Sequence, residues 1–283
     1  MRHRAVLLLA LLALVSVRVA GADIGTPTKI CEGIVTSGSA GTFSCPLDVA
    51  VSAGDGIVCA FVTTNCTDSP AASDDGGGSP ANAWTCHLQG DSEDNGLNGA
   101  HIAVCSTYVR EALLDSDTIS ATSSCNAAVR AIACVSISGL DTDGSGNLVV
   151  DKYITDSTSS GNNISASPTA ERTNAVTIGI GIGGWSGART YTHDEDPAWS
   201  DVTGIADLTA TGAVTRELRV TYRQFTAVGT AGMDGDLASS TASQAATLVL
   251  KGVPPPTPTP TITPTFTPTS TPTPLPKGNQ MVL

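Results

Sequence analysis

Positive charge is scarce in this chain of 283 residues, where 14 Lys and Arg face 26 Asp and Glu for a net charge of -12. Such a balance works against phosphate backbones and anionic membrane surfaces, so nucleic acid is not an expected partner. No apolar run after residue 17 is long enough to cross a bilayer. Neither CxxC nor a paired-His spacing is present, and His87, His101 and His193 are scattered, so the cysteines lack the pattern of a zinc site. Past residue 22 no segment carries apolar side chains at helical spacing, which argues against bundles and α/β folds. Aromatic residues are only 4% of the chain, so a single loop rich in them stands out.

What is there starts with MRHR, an apolar run from Ala5 to Val17, and Ala20-Gly21-Ala22 in a small-x-small cleavage pattern. These read as a secretory signal over residues 1–22. Its removal takes away Arg2, Arg4 and Arg18, so 14 basic residues become 11 against 26 acidic ones and -12 becomes -15. The mature chain is expected to be secreted, free or held at the cell surface, with no membrane insertion. A β-domain is expected over 23–253. Ten of the sixteen prolines fall between Pro254 and Pro276, an extended Thr/Pro linker over 254–276 that precedes a short tail, 277–283. This C-terminal stretch is expected to be disordered.

Eight cysteines, an even number behind an export signal, imply disulfides. Cys105 and Cys125 are equidistant from Asp115, so a hairpin centred there would set them opposite each other. Cys66 and Cys86 bracket a long Gly/Ser/Asp loop that a bridge would close. Cys31 with Cys45 and Cys59 with Cys134 complete the expected set.

The stretch NAVTIGIGIGG, 174–184, organises the rest: Val176, Ile178, Ile180 and Ile182 alternate with Thr177, Gly179 and Gly181. Period two marks a strand, and a Thr/Gly side lets another layer approach the backbone closely. Gly56 to Asn65 is apolar on both faces and predicts an interior strand. Shorter strands are expected at Ala83–Leu88, Ala100–Val109, Thr118–Cys125 and Ala127–Ser138. A weak one near Val149–Ile154 is followed by a Ser/Asn-rich link. RELRVTYRQF, with Leu218, Val220 and Tyr222 inward, and ATLVLK, with Ala246, Leu248 and Leu250 inward, complete the set. The Gly/Ser/Asp stretch 67–80 reads as an exposed, mobile loop. The fold class predicted is all-β, a two-sheet antiparallel sandwich of jelly-roll type, stapled by disulfides.

Three chemistries compete. DTDGSGNLVVD places Asp141, Asp143, Ser145 and Asn147 at the alternate-residue oxygen spacing of a calcium loop, with Gly146 at the sharp turn. Asp151 falls one place before the expected bidentate acid, and a plain Asp/Gly turn is the other reading. GWSGARTYTHDEDPAWSD offers Trp185, Tyr191 and Trp199 as flat faces for sugar rings, with His193, Asp194 and Asp196 to hydrogen-bond hydroxyls. The plainer reading has the two Trp capping one end of the sandwich. A glycosidase pair such as Asp194 and Asp201 is the weakest of the three, and GGWSG is not a nucleophile elbow because Ala188 replaces its last Gly. The expected function is therefore non-catalytic: binding of an extracellular polysaccharide or another surface polymer. Self-assembly with copies of the same chain is the alternative. No cofactor other than calcium is expected.

The order DGIVCAFV, HIAVCSTYV, DTISATSS, AIACVSISGLD, NAVTIGIGIGG, RELRVTYRQF and ATLVLKG resembles the uncharacterised β-sandwich domains of secreted bacterial proteins that carry Thr-Pro linkers. The likeness covers most of 48–252. Those domains are similar in outline to concanavalin-like and jelly-roll modules, which implies polysaccharide or surface association and supplies no catalytic residues. The cysteine-rich first half departs from that pattern.

Overall fold

Apolar side chains repeating at every second position, with no helical period to compete, fold into strands, and strands are what the chain forms. The computed structural model describes residues 23–35, 41–63, 70–76, 82–88, 101–123, 130–166, 169–170, 174–185, 191–193, 200–201, 208–210, 215–225, 229–230 and 233–254, and among them there is no helix. The first group of strands is β1 (Thr28–Val35), β2 (Gly41–Pro46), β3 (Gly56–Thr63), β4 (Ala71–Asp74), β5 (Thr85–Leu88), β6 (His101–Tyr108), β7 (Thr118–Ser123) and β8 (Arg130–Ile137). The second is β9 (Val150–Ala166), β10 (Thr169–Ala170), β11 (Ala175–Trp185), β12 (Tyr191–His193), β13 (Ser200–Asp201), β14 (Leu208–Ala210), β15 (Thr215–Phe225), β16 (Gly229–Thr230) and β17 (Met233–Lys251).

All pairings among the described strands are antiparallel. The first group makes a five-stranded sheet, β1-β8-β3-β6-β5, and a three-stranded sheet, β2-β7-β4. From β1 to β8 the chain changes sheet at every step except β5 to β6. The second group makes a seven-stranded sheet along β12-β17-β11-β15-β13, with β14 on β15 and β9 on β17, besides the small β10-β16 pair. Where the sequence pattern suggests two sheets, the described residues thus stack three, because the five-stranded sheet is apolar on both faces. On one face Val58, Val104 and Val135 pack with Ile178, Ile180 and Leu248 of the seven-stranded sheet. On the other, Ile57, Phe61 and Ile132 pack with Phe43, Ile119 and Ala121 of the three-stranded sheet. All eight residues of β3 are buried, as an interior strand requires. Phe43 and Phe61 meet edge to face at 5.9 Å and 84°, worth about 1 kcal/mol beyond the area they bury.

β11 lies between β15 and β17 in the seven-stranded sheet, with Ile180 opposite both Val220 and Ala246. Its Thr/Gly side is also buried: Gly179 sits between Thr221 and Thr247, and these two and Thr177 are fully shielded. Asn174 starts the strand in the left-handed region at φ 61°, which Asn tolerates, and its amide donates to the Val253 carbonyl so that the backbone just after β17 is tied to the start of β11.

Three expectations are corrected. β6 and β7 do not form a hairpin about Asp115, because β7 crosses to the three-stranded sheet and pairs there with β2 and β4. The stretch 67–80 is not wholly loop: Ala71–Asp74 forms β4, held by pairing with β7, while Asp74 accepts from Trp84 Nε1 at 2.8 Å and Asn82 Nδ2 at 3.2 Å. The Ser/Asn-rich link after Ile154 continues as β9 to Ala166, since pairing with β17 satisfies its backbone even where side chains offer no apolar pattern.

Candidate functional site

The aromatic candidates are set by β17. β9 occupies one flank of that strand, pairing from Met233 to Leu250. The other flank is taken by β11 opposite Ala242–Lys251 and then by β12 opposite Gly235–Leu237. Trp185, the last residue of β11, therefore stands near one end of the seven-stranded sheet, and Tyr191 and His193 follow along the same flank. Gly184 is opposite Ala242 and Tyr191 opposite Leu237, a step of about 17 Å at ~3.3 Å per residue. Asp194, Asp196 and Trp199 lie outside the described residues. The chain reappears as β13 on the far side of β15, Ser200 opposite Tyr222 and Asp201 opposite Thr221. The segment that holds the three undescribed candidates thus links the β17 flank to the β15 flank.

The acidic loop between β8 and β9 is a tight turn closed by a Thr142–Leu148 bridge. Gly146 takes φ 78°, a conformation that glycine adopts without strain. Asp143 Oδ1 accepts from the backbone N–H of Ser145 at 2.8 Å and of Asn147 at 2.9 Å, while Oδ2 accepts from Asn147 Nδ2 at 3.1 Å. These amide donors, those of Asn147 foremost, hold its carboxyl below the usual aspartate range. Asp141 Oδ1 accepts from the Thr142 N–H at 3.0 Å, and Arg110 Nη2 donates to the Ser145 carbonyl at 3.0 Å. Asp151, with a side chain only 2% exposed, pairs with Lys251 Nζ at 2.8 Å. A calcium ion at this loop has to displace N–H donors from Asp143 and an ammonium from Asp151.

The cysteines are where the structure adds most. Cys31 pairs with Cys45 and Cys59 with Cys134, as the sequence suggests. The third bridge is Cys86–Cys105, which overturns both Cys66–Cys86 and Cys105–Cys125. With no β6–β7 hairpin, Cys105 looks across to β5, where Cys86 is its direct partner. Cys66 and Cys125 lie outside the described residues. The registers then reveal an arrangement no spacing announced. Cys31 faces Cys134, Cys134 faces Cys59, Cys59 faces Cys105 and Cys105 faces Cys86, so all five strands of the sheet carry a cysteine on one rung. Cys45 joins the row from the three-stranded sheet, and the sulfurs of Cys31, Cys45 and Cys134 lie within 4.8 Å of one another. The two bridges inside the sheet span Cα separations of 4.1 and 3.9 Å, in line with the narrow, non-hydrogen-bonded pairs of an antiparallel ladder. Five of the six are fully buried, and Cys86 on the edge strand is half-buried. Cys31, Cys59, Cys105 and Cys134 each stand within a strand beside an apolar residue, which was the available signal. Only the strand order turns it into a row.

One titratable pair sits on the opposite face of β5. The His87 and Tyr153 rings lie 5.1 Å apart, and the Tyr153 hydroxyl donates to the His87 carbonyl at 3.4 Å. Burial pushes the His87 imidazole down and the Tyr153 phenol up. His87 Nε2 has no partner among the described residues.

Comparison of the chain with family models, curated proteins and solved structures returns no match.

Proposed function

We propose that this chain is a secreted, non-catalytic β-module that binds an extracellular polymer, polysaccharide first, at the sheet end bearing Trp185, Tyr191 and His193. The observation that supports this is the succession of β11 and β12 along one flank of β17, which gathers aromatic positions from two strands onto one sheet end. Asp194, Asp196 and Trp199, the remaining candidates of this reading, lie outside the described residues. Three disulfides suit an oxidising compartment. Among the described residues no helix is long and apolar enough to cross a membrane. The strand orders β1-β8-β3-β6 and β2-β7-β4 favour reading the first eight strands as a jelly roll. A glycan array probed with the wild type and with a Trp185→Ala, Tyr191→Ala variant tests the reading. Binding lost in the variant supports it, while a blank array or equal binding removes it. Calcium at Asp141, Asp143, Ser145, Asn147 and Asp151 is a separate proposal, withdrawn if titration calorimetry shows no heat at millimolar calcium.

One observation favours self-assembly as a second reading. β9 is seventeen residues long and, among the described strands, pairs with β17 alone, so its other edge offers unpaired backbone groups to an added strand. Size-exclusion chromatography with light scattering separates the two: a monomer keeps the first reading, a concentration-dependent oligomer the second.

A further inference from the structure

We propose that the cysteine row is a thiol–disulfide exchange track, opened by an external small-molecule thiol at Cys86 and ending in release of Cys45 between two sheets. Cys86 lies on the edge strand β5 and is the only half-buried sulfur of the row, whereas Cys31, Cys45, Cys59, Cys105 and Cys134 are shielded from solvent. A thiolate arriving from outside therefore meets Cys86 first. Inside the sheet each cysteine has a cysteine on both sides, so every bridge stands next to the sulfur that can break it.

The steps balance. The external thiolate attacks Cys86 Sγ, forming a mixed disulfide there and expelling Cys105 as thiolate. Cys105 attacks Cys59, forming Cys59–Cys105 and expelling Cys134. Cys134 attacks Cys31, forming Cys31–Cys134 and expelling Cys45, which takes a proton. One external thiol is consumed, one protein thiol appears, and the number of disulfides is unchanged. The new bridges join the wide, hydrogen-bonded pairs of the ladder, whose Cα separation of about 5.5 Å lies inside the disulfide range. Strand order and register survive the exchange; only the bond between the sheets, Cys31–Cys45, is lost. The apolar surroundings solvate a thiolate poorly and slow each attack. The register places each attacking cysteine directly opposite its target on the neighbouring strand, which offsets that by making each internal step intramolecular.

The experiment treats the folded full chain with a limiting amount of glutathione near pH 8, quenches with N-ethylmaleimide under non-denaturing and then denaturing conditions, and maps bridges by mass spectrometry. The expected map has glutathione on Cys86, new Cys59–Cys105 and Cys31–Cys134 bridges, and maleimide on Cys45 about tenfold over Cys105. Maleimide on Cys105 with Cys59–Cys134 and Cys31–Cys45 intact would overturn the track, as would a chain that takes up no glutathione while folded. A Cys86→Ser, Cys105→Ser variant should give no Cys45 label at the same exposure, and persistence of that label in a folded variant would also overturn it. If the variant does not fold, the wild-type map alone decides.

Discussion

The strands before residue 138 and those after 149 reach order by different means. Among the described residues of the first region no strand exceeds eight residues, and three disulfides tie strand to strand and sheet to sheet. In the second β9 and β17 run for seventeen and nineteen residues, and no cysteine follows Cys134. Long ladders there take over the cross-bracing that sulfur gives the short strands, and a salt bridge, Lys251–Asp151, joins the two longest. Both regions bury aliphatic faces in one shared core. Covalent closure thus accompanies short strands that change sheet at nearly every step, and length accompanies a sheet in which β9, β11, β15 and β17 pair side by side over long registers.

The comparison breaks most visibly at Cys59–Cys134, which closes a separation of 75 residues. Replacing both with Ala is expected to cost about 4.5 kcal/mol by chain entropy, read from denaturant unfolding. Under full reduction, limited proteolysis should cut within 23–137 before 150–251; simultaneous cleavage would show the two regions to be one cooperative unit. Leu248→Ala, in the second region and fully buried, is expected to cost about 3 kcal/mol in the same assay whether or not the bridges are reduced. A smaller effect should follow Lys251→Met, which leaves Asp151 buried without its ammonium; about 2 kcal/mol is expected, less than a fully buried pair because Lys251 is 14% exposed.

The smallest effect is one of pH. His87 joins the regions through Tyr153, and burial sets its folded pKa below the ordinary 6.5. The folded state therefore binds fewer protons than the unfolded one in the window just below 6.5. Stability from this group is present above that pH and is lost as pH falls through the folded value. Melting curves of wild type against His87→Phe should diverge on acidification below pH 6.5 in the wild type's disfavour. Parallel curves would detach His87 from the pH response.

How much of this was legible varies by element for physical reasons. β11, β15 and the last turn of β17 follow from alternation alone, because Ile178, Val220 and Leu248 face one core and nothing else satisfies them. The two-faced apolar pattern of β3 gave away its interior position. β4, the far half of β9 and the beginning of β17 escaped, since their order comes from a partner's backbone and side chains such as Ser157, Asn163 and Ser165 carry no burial signal. Cys86–Cys105 escaped because symmetry about Asp115 suggested a hairpin, whereas strand order is a long-range property. Of the proposed aromatic surface, the composition of the loop was visible and the placement of Trp185 and Tyr191 along β17 was not.

Because β1 borders β8, Thr28 finds its neighbour Ser136 only after about a hundred further residues have been delivered. A polypeptide emerging amino end first must hold its opening strand unmatched through that interval. Cys45, fourteen positions on, reaches Cys31 long before Cys134 does. The order of emergence thus favours the link between sheets over the neighbour within the sheet.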